Sequence, residues 1–372
     1  MNDKNLHYTP LHSLHTELGA KMVAFANYSM PVQYPGGIIQ EHQHTRNHAS
    51  LFDVSHMGQI TISGENAGQA LESIMPMNFI DQPLGQHRYG LLTNDAGGII
   101  DDLMVTRIAT DSYFLVVNAG CKVNDLRHIT EKIGKYVTIE SHEDKALIAL
   151  QGPAAINVLA KWVPELSNLR FMQASNFNID GNQCFISRSG YSGEDGVEIS
   201  VSGDQVESLA KLLLAQDAVK PAGLGARDSL RLEAGLCLYG QDLTENITPV
   251  EANLNWAIPK VRRDGGARQG RYPGYTTIQQ QLTEGPKRKR VGVRPIGKAP
   301  VRAGTEIVDA EDNVVGVITS GGFGPSINQP IAMGLLEISV TTIDTRLFAR
   351  VRNRLVDVEV CKLPFVAHQY KR

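Results

Sequence analysis

Cysteine is scarce in this chain: Cys121, Cys184, Cys237 and Cys361 stand tens of residues apart with no CxxC among them. That spacing argues against a zinc ribbon or a redox pair and fits four buried or idle thiols in a reducing compartment. No stretch approaches the roughly eighteen consecutive apolar residues of a membrane helix. The opening MNDKNLHYTP lacks both the apolar run of a signal peptide and the Arg/Ser-rich character of a transit peptide. A cytosolic chain, or one already processed, is expected. An excess of one charge is missing too: the formal net charge is -3, which gives no pull toward nucleic acid or anionic membrane. The basic run Lys287 to Arg290 lacks the interleaved aromatics of a nucleic-acid patch and reads as a solvated face. There is no Walker motif, no GxSxG and no HExxH, and GLGAR at 223–227 lacks the rest of a dinucleotide fingerprint.

What remains is 372 residues, 42% hydrophobic and 20% charged, enough for a large core and two or three domains. The most informative stretch is GGIIDDLMVTRI, 97–108, where Asp101 and Asp102 sit inside an apolar strand. With YGLLTNDAGG before it, 89–108 reads as a β-hairpin with a glycine-permitted turn. Successive side chains in a strand face opposite ways, so one aspartate faces the interior and its neighbour faces solvent or a loop. A carboxylate among Ile99, Ile100, Leu103 and Met104 needs a hydrogen-bond partner, a cation or a function. The plainer alternative is a strand-end acid satisfied by backbone amides.

Around this hairpin the pattern is strand, helix, hairpin, strand, helix, which makes an α+β unit rather than a parallel sheet. His44 and His48, four apart on a helix, have metal-site spacing, but no acid or cysteine completes a ligand set, so no metal is expected. A second hairpin, CFISRSGYSGEDGVEISV at 184–201, repeats the design. Glu194 and Asp195 in its turn read as solvated, whereas Glu198 sits between Val197 and Ile199 much as Asp102 does. On the helix ARDSLRLEAG, Arg227 and Arg231 share a face; a guanidinium there grips a planar ligand edge or pairs with Glu233 at the surface, the surface pair being the safer expectation. Residues 260–289 lose hydrophobic periodicity and gain Gly, Pro and charge, so a linker is expected there. Beyond it, short strands between Gly, Pro, Asn and Asp turns predict a small antiparallel sandwich or barrel.

Taken together, KMVAFANYSMPVQY, LFDVSHM, GGIIDDLMVT, ALQGP, SGYSGEDGVEIS, GARDSLRLEAGLCLYG, TSGGFGPS and KLPFV closely resemble the aminomethyltransferases, the T-proteins of the glycine cleavage system, over about 6–370. The resemblance implies a three-domain cloverleaf of α+β class around a central folate pocket. Residues 1–285 would form two interleaved folate-binding domains, one about 52–140 and the other from the flanking segments, and 286–372 a C-terminal antiparallel β-barrel domain. The implied reaction moves the methylene of the aminomethyl group on the lipoyl arm of the H-protein to tetrahydrofolate, a co-substrate. It gives 5,10-methylenetetrahydrofolate, ammonia and the dihydrolipoyl arm. Implied partners are lipoylated H-protein and the folate, with no nucleic acid and no membrane. The compartment would be the cytoplasm, or the mitochondrial matrix for a processed eukaryotic chain.

Carried over by motif, Asp102 would be the catalytic carboxylate and Asp101 its structural neighbour in the folate-binding set. Glu198 would accept from the pterin amino and ring N–H groups. Met57, Tyr89, Val116, Asn118 and Tyr191 would line the pocket, Arg227 would fix the folate, and Arg290 and Tyr370 would lie by its entrance. Two departures stand out: ANYSMP replaces a common Gly-Trp, and the loop 260–275 is rich in Gly and Arg. A related fold with a different role, the folate-binding iron-sulfur maintenance factor, is the alternative; Cys237 lacks the motif setting of that factor.

Overall fold

The computed structural model describes residues 6–352 and 354–372. The DD-bearing hairpin lies in a five-stranded antiparallel sheet, ordered His87–Thr93, Ile99–Ala109, Ser112–Val117, Gly58–Ser63 and Thr138–Ser141. Its turn is built by Asn94, whose Oδ1 accepts from the amides of Ala96 and Gly98. Gly98 is obligatory, since a Cβ there would stand 1.7 Å from the carbonyl oxygen of Glu245. Strand alternation gives the sheet two characters. One face carries Ile60, Ile62, Leu103, Val105, Leu115 and Val117 into a core closed by helices Ala67–Ile74 and Lys122–Ile133. The other face presents Tyr89, Met104, Val116 and Phe114, which the register places in rows across the strands.

A six-stranded sheet follows, ordered Ala174–Ile179, Asn182–Ser187, Gly196–Ser202, Lys145–Gln151, Ala49–Asp53 and Val219–Pro221. Only its last pair is parallel. Val197, Ile199, Ile148 and Leu150 pack under helices Ala155–Leu159 and Val206–Leu214. The opposite face turns Phe52, Leu147, Ala149 and Glu198 toward the first sheet. The two sheets meet there: Phe114 packs edge-on against Phe185 at 5.1 Å, and Ser200 Oγ donates to Gln59 Oε1 at 2.5 Å. Helix Leu224–Glu233 closes the seam with Ala226 and Leu230.

The third unit is a closed antiparallel barrel of six strands, from Arg288–Pro295 to Arg354–Cys361. The expected linker is corrected. Ile258, Tyr272 and Ile278 belong to the core of the first sheet, and Arg262, 2% exposed, lies 3.2 Å from the carboxylate of Glu72. Arg268 reaches the same carboxylate at 3.1 Å. Buried Glu72 requires cations, and the Arg-rich loop supplies them, so its composition reflects ion pairing rather than a free tether. Among the described residues no helix is long and apolar enough to cross a membrane, and no three His, Cys, Asp or Glu side chains are grouped to hold a metal. His44 spends Nε2 on the carbonyl of Ala218 instead, and its ring lies 4.9 Å from that of His48.

Candidate active site

The two aspartates divide as strand alternation requires, and they have different surroundings. Asp101 is fully buried on the helix-covered face, whereas Asp102 is half-buried on the face turned toward the second sheet. Asn118, just past strand Ser112–Val117, holds both. Its Nδ2 lies 2.9 Å from Asp101 Oδ1 and 2.9 Å from Asp102 Oδ1, and its amide donates to Asp101 Oδ2 at 3.2 Å. From the neighbouring strand, Tyr89 donates its hydroxyl to Asp102 Oδ2 at 2.9 Å. Burial, and after it the negative charge of Asp101, pushes Asp102 up from the ordinary carboxyl value to about 7. It therefore exchanges protons near neutral pH, as a general acid or base must.

Across the seam stand Glu198 and Arg227. Glu198 is 9% exposed, and burial raises its pKa against the opposing pull of the Arg227 charge. Arg227 is half-buried, its guanidinium 4.9 Å above the ring of Tyr191. Among the described residues neither the carboxylate of Glu198 nor the guanidinium of Arg227 has a hydrogen-bond partner, although each is close enough to shift the other's titration. Two opposite charges, one buried and one half-buried, held without direct pairing are costly alone and suited to a polar, flat ligand edge. Met57, Met104 and Val116 belong to the apolar cluster at the same seam. Tyr191 donates to the carbonyl of Cys237, which fixes its ring as the platform beneath Arg227.

Both domains of one family match this chain. The GCVT N-terminal domain covers 11–262, and the glycine cleavage T-protein C-terminal barrel domain covers 288–367. The mitochondrial aminomethyltransferase of Dictyostelium discoideum is 44% identical, over 100% of this chain and 95% of that protein. That of Pisum sativum is 41% identical, over 99% and 91%. The crystal structure of glycine cleavage system aminomethyltransferase T from Bartonella henselae superposes with a TM-score of 0.93 at 42% identity, covering 99% of this chain and 100% of that one. The chain belongs to the aminomethyltransferase family of the glycine cleavage system. Its activity is aminomethyl transfer, and the comparisons favour this over an iron-sulfur maintenance role.

On this aminomethyltransferase fold the expected site residues fall into two groups. Asp102, Asn118, Tyr89, Val116, Met57, Tyr191, Glu198 and Arg227 gather at the seam, while Asp101 lies behind the sheet and reaches the group only through Asn118. Arg290 is not at an open rim. It is 5% exposed, with Nε on the carbonyl of Ala252 and Nη1 on that of Gly235, so it ties the first barrel strand to the turn after helix Leu224–Glu233 and leaves Nη2 uncommitted among the described residues. Tyr370 stacks on Phe171 at 4.0 Å, on a terminal segment whose Gln369 amide bonds to the carbonyl of Gly193.

Other expectations are corrected. The turn Glu194–Asp195 is not solvated: Glu194 pairs with Arg46 at 2.8 Å and Asp195 with Arg188. The surface pair of Arg227 or Arg231 with Glu233 does not form, because Glu233 is fully buried and bound to Arg46 and Ser326. Sequence reasoning passed over Trp256, 65% exposed yet stacked on Tyr89 at 5.6 Å, and Asp125 behind Asp101. One of only two tryptophans in the chain, standing just ahead of the Gly- and Arg-rich loop 260–275, was the available signal for the first.

Proposed function

We propose that the seam binds tetrahydrofolate with its pterin edge on Glu198 and Arg227, and that Asp102 is the catalytic carboxylate. The supporting observation is the pair of unpartnered opposite charges facing an aspartate poised near neutrality. Glu198 offers two acceptor oxygens to the amino and ring N–H groups of a pterin, a pairing that favours the ionised form against desolvation. Arg227 supplies planar donors to the same ring system, with Tyr191 behind it. Met57, Met104 and Val116 exclude water from the ring faces.

The second substrate is the aminomethyl group on the lipoyl arm of the H-protein. When its carbon–sulfur bond opens, cationic iminium character develops on the aminomethyl nitrogen and carbon, and the sulfur leaves as thiolate. Asp102 opposes that charge in a site of low dielectric, where it counts for more than in water. Near its own pKa it also takes the proton released as the folate nitrogen attacks. Tyr89 and Asn118 hold its two oxygens, so the carboxylate needs little reorganisation during the reaction.

The experiment is ammonia release from aminomethyl-loaded H-protein with and without tetrahydrofolate. Strong folate-dependent release is expected. Tight folate binding without release would instead support the non-enzymatic binding role.

A further inference from the structure

Asp125 has no role in the reading above, and the packing around it does not account for it. It lies in the first turn of helix Lys122–Ile133, fully buried, and among the described residues neither carboxylate oxygen receives a hydrogen bond from an N–H or hydroxyl group. The titratable groups facing it are Asp101 and Asp102 from strand Ile99–Ala109, Cys121 from the turn that opens its own helix, and Tyr239 from the loop after helix Leu224–Glu233. All are acids, so no cation repays the burial. Asp125 lies in the helical turn that follows Asn118, so its carboxylate comes up against that of Asp101, the first charge to act on it. Ionised carboxylates only accept, so this contact is a bond only when one of the two carries a proton, and is otherwise a dry repulsion. Asp101 already receives donors from the amide and side chain of Asn118, whereas Asp125 receives none. The proton therefore belongs on Asp125.

We infer that Asp125 is a protonated positioning residue that donates to Asp101 from behind the sheet and thereby sets the charge and orientation that Asp102 meets across Asn118. The inference rests on the assignment of Asp102 as the catalytic carboxylate. The bonds form one chain: Asp125 donates to Asp101, Asn118 donates to Asp101 and Asp102, and Tyr89 donates to Asp102. No new reactant is needed, because the shared proton stays within the pair.

Two measurements test this. The first is the pH profile of kcat for folate-dependent ammonia release. Asp125→Asn keeps a donor toward Asp101 and leaves the acid limb in place. Asp125→Ala removes the donor; Asp101 then takes up a proton itself, Asp102 meets less negative charge, and the limb moves to lower pH by about one unit. A purely structural role would lower activity and Tm without moving the limb. The second is the infrared carboxylic-acid C=O stretch at about pH 9, where Asp102 and ordinary carboxyls are ionised. Wild type retains such a band and Asp125→Asn loses it, whether or not Asp125→Ala folds. A limb unmoved in Asp125→Ala, or no band that Asp125→Asn removes, overturns the inference. The infrared readout is independent of turnover. Full activity in Asp102→Asn would remove the assignment of Asp102, while the band would still report where the proton sits.

Discussion

Arg227 and Arg231 stand one turn apart on the helix Leu224–Glu233 and meet opposite conditions. Arg231, 2% exposed, donates to Asp228 at 2.9 Å, to Asp242 at 3.0 Å and to Ser320 at 3.0 Å. Two residues on, Glu233 accepts from the amide and hydroxyl of Ser326 at 2.7 Å and from Arg46 at 2.9 Å. Ser320 and Ser326 belong to the barrel or its connecting turn, so this end of the helix is a polar lock between domains. Arg227, facing the seam, has none of these partners. The same residue type holds the fold where its donors are satisfied and remains available to a ligand where they are not.

The largest expected effect on this contrast comes from Asp102. Asp102→Asn keeps the shape and the contact with Tyr89 but cannot take a proton or oppose a cation. Turnover should fall by ~10²- to 10⁴-fold with folding and folate binding preserved, a barrier increase of roughly 3 to 5 kcal/mol. Full activity in steady-state assays would dismiss the assignment.

Next comes the lock. Arg231→Met leaves Asp242 buried without its cation, a loss of about 3 to 5 kcal/mol, read by calorimetry as a drop of several degrees in Tm. The KM for folate should hardly change. Glu233 carries a pH signature: burial works to raise its pKa, but the hydrogen bond and charge of His42, 3.1 Å away, and the bonds from Ser326 outweigh it and hold it down to about 2. A lowered carboxyl pKa stabilises the fold above the unfolded value near 4 and loses that contribution as pH falls toward 2. Thermal melts of wild type and Glu233→Gln should therefore converge as the solution is acidified through that window.

Removing the seam charges should do the reverse. Glu198→Gln and Arg227→Gln each lose about 10- to 100-fold in folate affinity by titration calorimetry, the scale of one charged hydrogen-bonding group. Their Tm should stay level or rise, since an unpartnered desolvated charge is removed. An unchanged dissociation constant would count against the pterin contact. A matching collapse of Tm would mean that the seam is a lock like the other.

The strand and hairpin pattern made the two hairpins and the short strands of the last unit legible in the sequence, because alternation and Gly/Asn turns act locally; it left sandwich and barrel open, and only the resemblance implied the closed barrel. The division between Asp101 and Asp102 was legible as an alternation, but which of them is enclosed depends on where helix Lys122–Ile133 lands. Partners from far along the chain were not legible. Glu194 looked solvated because its cation is Arg46, and Glu233 looked superficial because Ser326 lies 93 residues away. The stretch 260–289 looked like a linker because Glu72, which binds its arginines Arg262 and Arg268, lies nearly two hundred residues earlier. Composition reports the charge of a segment; only the fold reports whether that charge has been matched.

The smallest effect tests the comparison most finely. Tyr89 donates one hydrogen bond to Asp102, and that bond favours the ionised carboxylate. Tyr89→Phe removes it and keeps the ring that stacks on Trp256 at 5.6 Å. The net loss should be about 0.5 to 1.5 kcal/mol, a few-fold to tenfold in turnover at neutral pH. The sign in pH is fixed: Asp102 lies near 7, its basic form is the active one, and losing a donor raises its pKa further, so the acid limb of kcat moves to higher pH. At sufficiently alkaline pH most of the lost activity should return, because the carboxylate is then ionised with or without the hydroxyl. An activity loss that stays constant across pH would instead mean that Tyr89 acts by orienting the carboxylate, with no part in its ionisation.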